Sequence, residues 1–304
     1  MPPKRKANGK EVPKSPVKSD YRRMLQLMVE KWPSLRITPG AKEIENKDSE
    51  LSKIRNDCFL TASMAGVLWN CKRGVSLGKF IRVARGLEEM PPPSDFARAL
   101  MDKGVEMEPV ILSHFSAVAS AEFKRLLGGE MTTVTPGPIT MEFEGVKTSA
   151  TPDALVFLTD APRMRTWSIP VEIKFFASKT EFPSEIPNDY LAQILCQAIH
   201  MGSRMALLLA GVRTDEDEVL FKVWVLRITP EAIDAYYELL QAVKEEVEKN
   251  SERTRFPNVG AELQSLIVYE TTDCCSLWEF ILSNRDLLVS HTSESDNLTF
   301  PSNR

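Results

Sequence analysis

The sequence has no long apolar run. No stretch of its 304 residues approaches the roughly 20 consecutive apolar residues that a membrane helix needs. No apolar segment near the start resembles a secretory signal. With 43% hydrophobic and 26% charged residues, the composition is that of an ordinary globular protein. We therefore expect an intracellular protein that does not contact a membrane.

Cysteine is scarce and irregularly spaced. The five cysteines form no CxxC pair and show no His/Cys spacing typical of a zinc site. An odd number at irregular spacing does not indicate a disulfide framework. We predict that all five thiols are reduced: Cys58, Cys71, Cys196, Cys274 and Cys275.

Positive charge is concentrated at the start of the chain. Residues 1–31 hold nine Lys and Arg against three Asp and Glu, a balance of +6. Because the net charge of the chain is −4, the other residues together carry −10. Residues 1–19 have almost no apolar content, and we predict a disordered basic tail. Its Lys4-Arg5-Lys6 run fits a nuclear address or a DNA-contacting arm, and equally a solvated tail.

The pattern of apolar residues predicts one main domain over residues 20–250 and a partly irregular extension over 251–304. Helices are predicted at 21–32, 95–127, 187–202, 230–249 and 276–283. Strands are predicted at 132–135, 139–144, 153–159, 167–176, 205–212 and 218–228. This order indicates an α/β or α+β core in which helices flank a central mixed sheet.

An acid and a base lie two residues apart in the segment 167–176. On a strand, Glu172 and Lys174 project from one face, and Val171 and Ile173 from the other. Burying such charges costs several kcal/mol unless a metal, a partner or a substrate compensates. The pair therefore indicates a reactive cleft, and the alternative is a surface ion pair on an edge strand.

A second carboxylate stands at the start of another predicted strand. Asp153, in Thr151-Pro152-Asp153, lies about twenty residues before Glu172. Two carboxylates at adjacent strand ends make an oxygen site suited to Mg²⁺ or Mn²⁺. Such an ion activates water and neutralises charge on a phosphodiester. Lys174 would orient the attacking water or stabilise the transition state.

These segments resemble the PD-(D/E)xK nuclease superfamily, in particular its lambda-exonuclease or YqaJ-like viral recombinase branch. The matching segments follow the family's order over roughly half the chain: Thr61-Ala62-Ser63, Gly104 to Glu108, Thr151 to Asp153, Val171 to Lys174, and Tyr190 to Gln193. The resemblance implies a restriction-endonuclease-like core.

The resemblance also implies a role for each matching residue. The metal ligands would be Glu108, Asp153, Glu172 and the carbonyl of Ile173. Lys174 would be the catalytic lysine, and Gln193 would help to hold it or the water. The terminal 5′-phosphate would contact Ser63, Thr151 and Arg55, the last lying one residue further from the serine than is usual in the family.

The activity that the resemblance implies is Mg²⁺-dependent 5′-to-3′ resection of double-stranded DNA ends for recombination by single-strand annealing. It further implies a single-strand annealing protein as a partner and a homotrimer. Two alternatives remain: a structure-specific or site-specific endonuclease on the same core, and a non-catalytic DNA-binding protein on a nuclease fold.

Several of these residues also have plain structural interpretations. Glu108 could be an acidic helix-start residue that complements the helix dipole. Gln193 could be solvated, and Tyr190 could serve packing alone. Three further residues are predicted to belong to the core rather than to bind ligands: His114, His200 and Trp224.

Overall fold

The structure is a computed structural model that describes residues 35–38, 58–69, 77–89, 92–160, 165–176, 182–214, 218–248 and 260–292. Four predicted features lie outside these residues: the tail 1–19, the helix 21–32, Arg55 and Cys71. The other four cysteines are free thiols, as predicted. None of the helices in the described part of the chain is long and apolar enough to span a membrane.

The described residues form eleven strands, seven α-helices and two short 3₁₀ helices, the last two at Ala62–Met64 and Arg285–Leu287. The strands are β1 Leu35–Thr38, β2 Leu60–Thr61, β3 Glu130–Val134, β4 Ile139–Phe143, β5 Val146–Ala150, β6 Ala154–Asp160, β7 Arg165–Phe176, β8 Met205–Arg213, β9 Val219–Arg227, β10 Ile267–Thr271 and β11 Val289–Thr292. The helices are α1 Ala65–Leu68, α2 Leu77–Ala84, α3 Asp95–Leu127, α4 Asn188–His200, α5 Pro230–Glu248, α6 Gly260–Gln264 and α7 Cys274–Ser283.

The main sheet has the order β10-β9-β8-β7-β6-β3, and β11 pairs with the first part of β7. Strands β7 and β8 run parallel, and their neighbours are antiparallel. Helices α3 and α7 cover one face, and helices α4 and α5 cover the other. The predicted fold class, a mixed α/β sheet flanked by helices, is confirmed.

A smaller sheet has the order β1-β4-β5-β2, and only its strand β4 was predicted. Strand β5 follows β4 through a two-residue turn in which Glu144 has a φ of 46° and Gly145 a φ of 82°. Its sequence, Val-Lys-Thr-Ser-Ala, is too polar to indicate a buried strand, yet its last three residues are buried. Strand β2 runs parallel beside it, and the buried Thr148 hydroxyl contacts the His200 ring on helix α4.

Helix α3 has the predicted bounds, 95–127, and includes Pro109. The Ser94 side chain caps its first turn by accepting a hydrogen bond from the Ala97 N–H, and Gly128 ends it with a φ of 62°. Its buried stripe repeats every four residues: Met107, Ile111, Phe115, Ala119 and Phe123. His114 lies off this stripe and is exposed, so the prediction of a core histidine was wrong there.

A glycine brings helix α3 close to the sheet. A Cβ atom at Gly211 on β8 would stand 2.3 Å from the buried Ile111 side chain. Gly211 pairs with Phe175 on β7, next to Lys174 in the chain. Glu108 lies one helical turn before Ile111. The contact therefore sets the distance from Glu108 to the end of β7 that carries the acid and the base.

Residues 260–292 add to the main sheet rather than forming only a short helix. Strand β10 pairs with β9, and β11 pairs with residues 165–168 of β7. The predicted helix 276–283 begins two residues earlier, at Cys274, where Asp273 caps it. Its Trp278 ring N–H donates to the Ala119 carbonyl at 2.7 Å. Strand β10 alternates partly buried and exposed residues, a weak signal in the sequence.

Substituting Gly211→Ala tests the close contact between α3 and β8. Because Ile111 is fully buried and cannot move aside, we expect the free energy of unfolding to fall by about 1–3 kcal/mol. Urea denaturation measures this change.

The matched control is Gly104→Ala on helix α3, where an added Cβ meets nothing within 4 Å. Alanine is the better helix former, so this variant should gain about 0.5–1 kcal/mol. Equal stability of Gly211→Ala and the wild type would contradict the packing argument.

Candidate active site

The site is built where strands β6 and β7 separate. Their ladder ends at the pair of Ala154 and Val171, while β7 continues to Phe176 along β8. Asp153, the residue before β6, turns its side chain across the gap. Its Oδ2 accepts a hydrogen bond from the backbone N–H of Ile173 at 2.7 Å. The Asp153 carboxylate therefore takes the place of the missing acceptor on β6, and it lies beside the gap between the two strands.

Glu172 and Lys174 project from the same face of β7 and form an ion pair. Glu172 is 1% exposed, whereas the Lys174 side chain retains 19% exposure. Val171 and Ile173 are buried on the opposite face, as the alternation predicted. Because β7 is an inner strand with a buried acid, the alternative of a surface ion pair on an edge strand was wrong.

Helix α4 supplies a contact to Glu172 that was not predicted. The Gln197 Nε2 donates to Glu172 Oε2 at 2.5 Å and to the carbonyl of Thr151 at 3.3 Å. Gln193, the glutamine chosen from the sequence, lies one turn earlier and is buried. Its catalytic role stays a prediction. A signal for Gln197 existed: with Gln193 and His200 it forms a polar stripe on an otherwise apolar helix.

The Lys174 ammonium group lies over an aromatic ring. Its Nζ is 5.1 Å from the centre of the Tyr190 ring, within the range of a cation–π interaction. The Tyr190 ring meets the Phe176 ring edge-on, with centres 6.3 Å apart. Tyr190 is therefore more than a packing residue, because it contacts the lysine and so limits where the ammonium group can lie.

Glu108 approaches from helix α3 and is partly buried. Burial raises the pKa of Glu108, the Lys174 ammonium group lowers it, and the charge of Glu172 raises it. Since α3 begins at Asp95, Glu108 lies in the middle of the helix. The alternative of an acidic helix-start residue was therefore wrong.

Asp153 has the most perturbed carboxyl group of the site. Burial raises its pKa to about 8, and the negative charges of Glu172 and Glu108 contribute to the increase. Lys174 and the Ile173 N–H act in the opposite direction. Three carboxyl groups thus share one region with the Lys174 ammonium group, and a further positive charge would relieve their repulsion.

The donor atoms suit a hard divalent cation, because they are carboxylate oxygens at a strand end. Within the described residues, however, no three His, Cys, Asp or Glu side chains are gathered closely enough to enclose an ion. Both oxygens of Glu172 have protein partners, Lys174 and Gln197. The residues fit the ion by chemistry and charge. The main-chain N–H of Ile173 is engaged by Asp153, and its carbonyl stays a predicted ligand.

The predicted phosphate contacts lie at the ends of two parallel strands. Thr61 on β2 pairs with Ser149 on β5, two residues before Thr151. Ser63 is exposed just beyond β2, and its hydroxyl is 3.0 Å from that of Thr61. Strand pairing thus brings two segments about ninety residues apart in the chain to one sheet end. Their binding to phosphate, with Arg55, stays a prediction.

His200 and Trp224 are buried, as predicted for core residues. The Nδ1 atom of His200 is 2.7 Å from the Cys196 carbonyl, and its Nε2 atom is 3.0 Å from the Thr148 hydroxyl. Burial lowers the pKa of His200 to about 4, so the ring is neutral at pH 7. A neutral ring with both nitrogens engaged serves structure rather than metal binding.

The chain matches no protein-family model and no curated protein. Among solved structures it is similar to an alkaline exonuclease, LHK-Exo, from Laribacter hongkongensis, with a TM-score of 0.42 and 18% identity over 66% of this chain and 93% of that one. LHK-Exo in complex with dAMP gives a TM-score of 0.40 and 19% identity over 63% of this chain and 88% of that one. The functional conclusion therefore rests on the residues of the site itself.

Proposed function

We propose that this protein is a metal-dependent nuclease that hydrolyses the phosphodiester bonds of DNA. The observation that carries the proposal is the buried Glu172 with its Lys174 partner, placed where β6 and β7 separate and Asp153 spans the gap. Burying an acid and a base in this way costs free energy that packing does not require. A divalent cation would bind the Glu172 carboxylate, and a phosphodiester would contact the Lys174 ammonium group.

In the proposed hydrolysis, one set of residues binds the metal and Lys174 contacts the reacting groups. Glu108, Asp153, Glu172 and the Ile173 carbonyl would hold Mg²⁺, or Mn²⁺ in its place. When bound, the ion supplies Lewis-acid polarisation of the phosphate and a lowered pKa of water. Lys174, directed by Tyr190 and Glu172, donates a hydrogen bond to the attacking water or to a phosphate oxygen. A non-catalytic DNA-binding protein would have no need for these carboxylates and the Lys174 ammonium group at one site.

The proposed direction of cleavage comes from the family resemblance and agrees with the predicted phosphate contacts. Ser63 and Thr151 offer hydroxyl groups at one sheet end, and with Arg55 they would bind the 5′-phosphate of a duplex end. The proposed activity is therefore 5′-to-3′ exonuclease action that leaves 3′ single strands for recombination by annealing. A single-strand annealing protein, a homotrimer and a nuclear location belong to the same proposal.

The central test is Lys174→Ala, assayed on linear duplex DNA labelled separately at its 5′ and 3′ ends. With Mg²⁺, the wild type should release the 5′ label first, leave a closed circle intact and degrade a 5′-hydroxyl duplex more slowly. The variant should lose at least about 10²-fold in kcat, because the transition state loses its cationic donor. Gel-shift binding of duplex should be retained.

The control for this test is Lys244→Ala, which removes a partly buried lysine that contacts the Glu144 carbonyl outside the carboxylate cluster. Its cleavage rate should equal that of the wild type. Undiminished Mg²⁺-dependent hydrolysis by Lys174→Ala would remove the lysine from the mechanism. Cutting of the closed circle by the wild type would instead favour the endonuclease alternative.

The raised pKa of Asp153 predicts a pH dependence of stability and metal affinity. In the metal-free protein, folding raises the pKa of the Asp153 carboxyl group from 3.8 to about 8. The protonated group therefore contributes to the free energy of unfolding, fully below about pH 4, and this contribution is lost as the pH rises through about 8. Mn²⁺ competes with the proton, so its affinity should rise with pH and level off above about 8.

The variant Asp153→Asn keeps an oxygen for the Ile173 N–H but cannot ionise. Without metal it should lose less stability than the wild type between pH 5 and pH 9, measured by urea denaturation, and it should bind Mn²⁺ weakly, measured by calorimetry. The exposed Asp286→Asn should behave as the wild type in both measurements. Identical pH profiles of Asp153→Asn and the wild type would contradict the assignment.

A further inference from the structure

Gln197 joins the two sides of the gap between β6 and β7. Its amide donates to Glu172 on β7 and to the Thr151 carbonyl, on the chain that leads into β6. Asp153 bonds the same two segments through the Ile173 N–H. The chain leading into β6 is therefore held to β7 twice beyond the end of their ladder, once by a carboxylate and once by an amide.

The burial of Gln197 is costly. Gln197 is 1% exposed, and it lies on a helix whose residues from Leu191 to His200 are all buried. Within the described residues, its Oε1 atom is buried and has no hydrogen-bond partner. An apolar side chain of the same size would fill this space and avoid the unpartnered Oε1, but it would remove the donor that the buried Glu172 Oε2 accepts from. Packing alone therefore does not account for a glutamine at this position.

We propose that Gln197 is a positioning residue that fixes the carboxylate of Glu172 for metal binding. Glu172 has one partner on each oxygen, Lys174 at Oε1 and Gln197 at Oε2. Two different partners stop the carboxylate from rotating. Because the amide is neutral, it orients the carboxylate without cancelling the negative charge that attracts a cation. This inference rests on the proposed function and names a residue that the sequence prediction did not include.

The contact with Thr151 gives Gln197 a second effect. Thr151 is the predicted phosphate contact, and its carbonyl shares the amide that holds Glu172. The position of the substrate end and the position of a metal ligand are thereby linked through one side chain. Gln193, one helical turn earlier on α4, is buried as well, and testing both glutamines separates the predicted residue from the one that contacts Glu172.

The test is a calorimetric titration of the full chain with Mn²⁺, using Gln197→Met. Methionine keeps the length and volume of the side chain and removes both hydrogen bonds. The Kd for Mn²⁺ should rise about 10- to 100-fold, because residues that orient metal ligands have effects of this size. With excess Mn²⁺, kcat for duplex digestion should fall by a larger factor than KM rises, since Gln197 contacts Glu172 directly and affects the substrate only through the Thr151 main chain.

The matched control is Gln241→Met, which changes another glutamine with a buried, unpartnered Oε1, on helix α5. Its Kd for Mn²⁺ should equal that of the wild type. If Gln197→Met does not fold, judged by circular dichroism, Gln197→Asn replaces it. Asparagine keeps the amide but falls one methylene short, and the same loss of affinity is expected.

Three results would overturn the inference in distinguishable ways. Wild-type affinity for Mn²⁺ in a folded Gln197 variant would refute the positioning role and leave the proposed nuclease function intact. Failure of the wild type itself to bind Mn²⁺ would refute the proposed function, and the inference with it. A comparable loss in Gln193→Met alone would assign the positioning role to the earlier glutamine.

Discussion

The hydrogen bond from the Ile173 N–H to the Asp153 carboxylate is the interaction on which the site depends. Two antiparallel strands separate at this point, and the separation would leave a main-chain N–H of β7 without a partner. An unsatisfied buried N–H is unfavourable, so a side-chain acceptor at position 153 allows β7 to continue beyond β6. The same carboxylate then stands beside Glu172 and Lys174, which the continued strand presents.

This arrangement has an electrostatic consequence that stability alone would not favour. Burial and neighbouring negative charge raise the pKa of Asp153 to about 8, and the pKa of Glu108 is raised for the same reasons. Lys174 offsets only part of this repulsion. The site therefore stores unfavourable charge in the metal-free protein, and a divalent cation would convert that cost into affinity. Catalytic sites commonly sacrifice stability in this way.

Much of the architecture could be predicted from the sequence because its signals are local. Helix α3 has a Ser cap, a Gly stop and a regular apolar repeat, and its bounds were predicted correctly. The alternation around Glu172 placed acid and base on one face of a strand. Strand β5 was missed because its residues are polar and its parallel partner β2 lies more than eighty residues earlier in the chain. His114 was misplaced because helix α3 has a narrow buried stripe.

The least predictable part of the site was the choice between two glutamines on one buried helix. Gln193 and Gln197 are one turn apart, and only the packing of α4 against β7 decides which of them reaches Glu172. The contact of Gly211 with Ile111 is unpredictable for the same reason, since it joins a helix and a strand distant in the chain. Such contacts depend on tertiary packing, and the order of residues alone does not specify them.

The central claim is that these separate carboxylates gather around a divalent cation. Anomalous X-ray diffraction from crystals soaked in Mn²⁺ tests it most directly. The account predicts anomalous density at coordination distance from the carboxylates of Asp153 and Glu172, with Glu108 completing the site. Saturating Mn²⁺ that leaves this position without anomalous density, or binds only elsewhere, would contradict it.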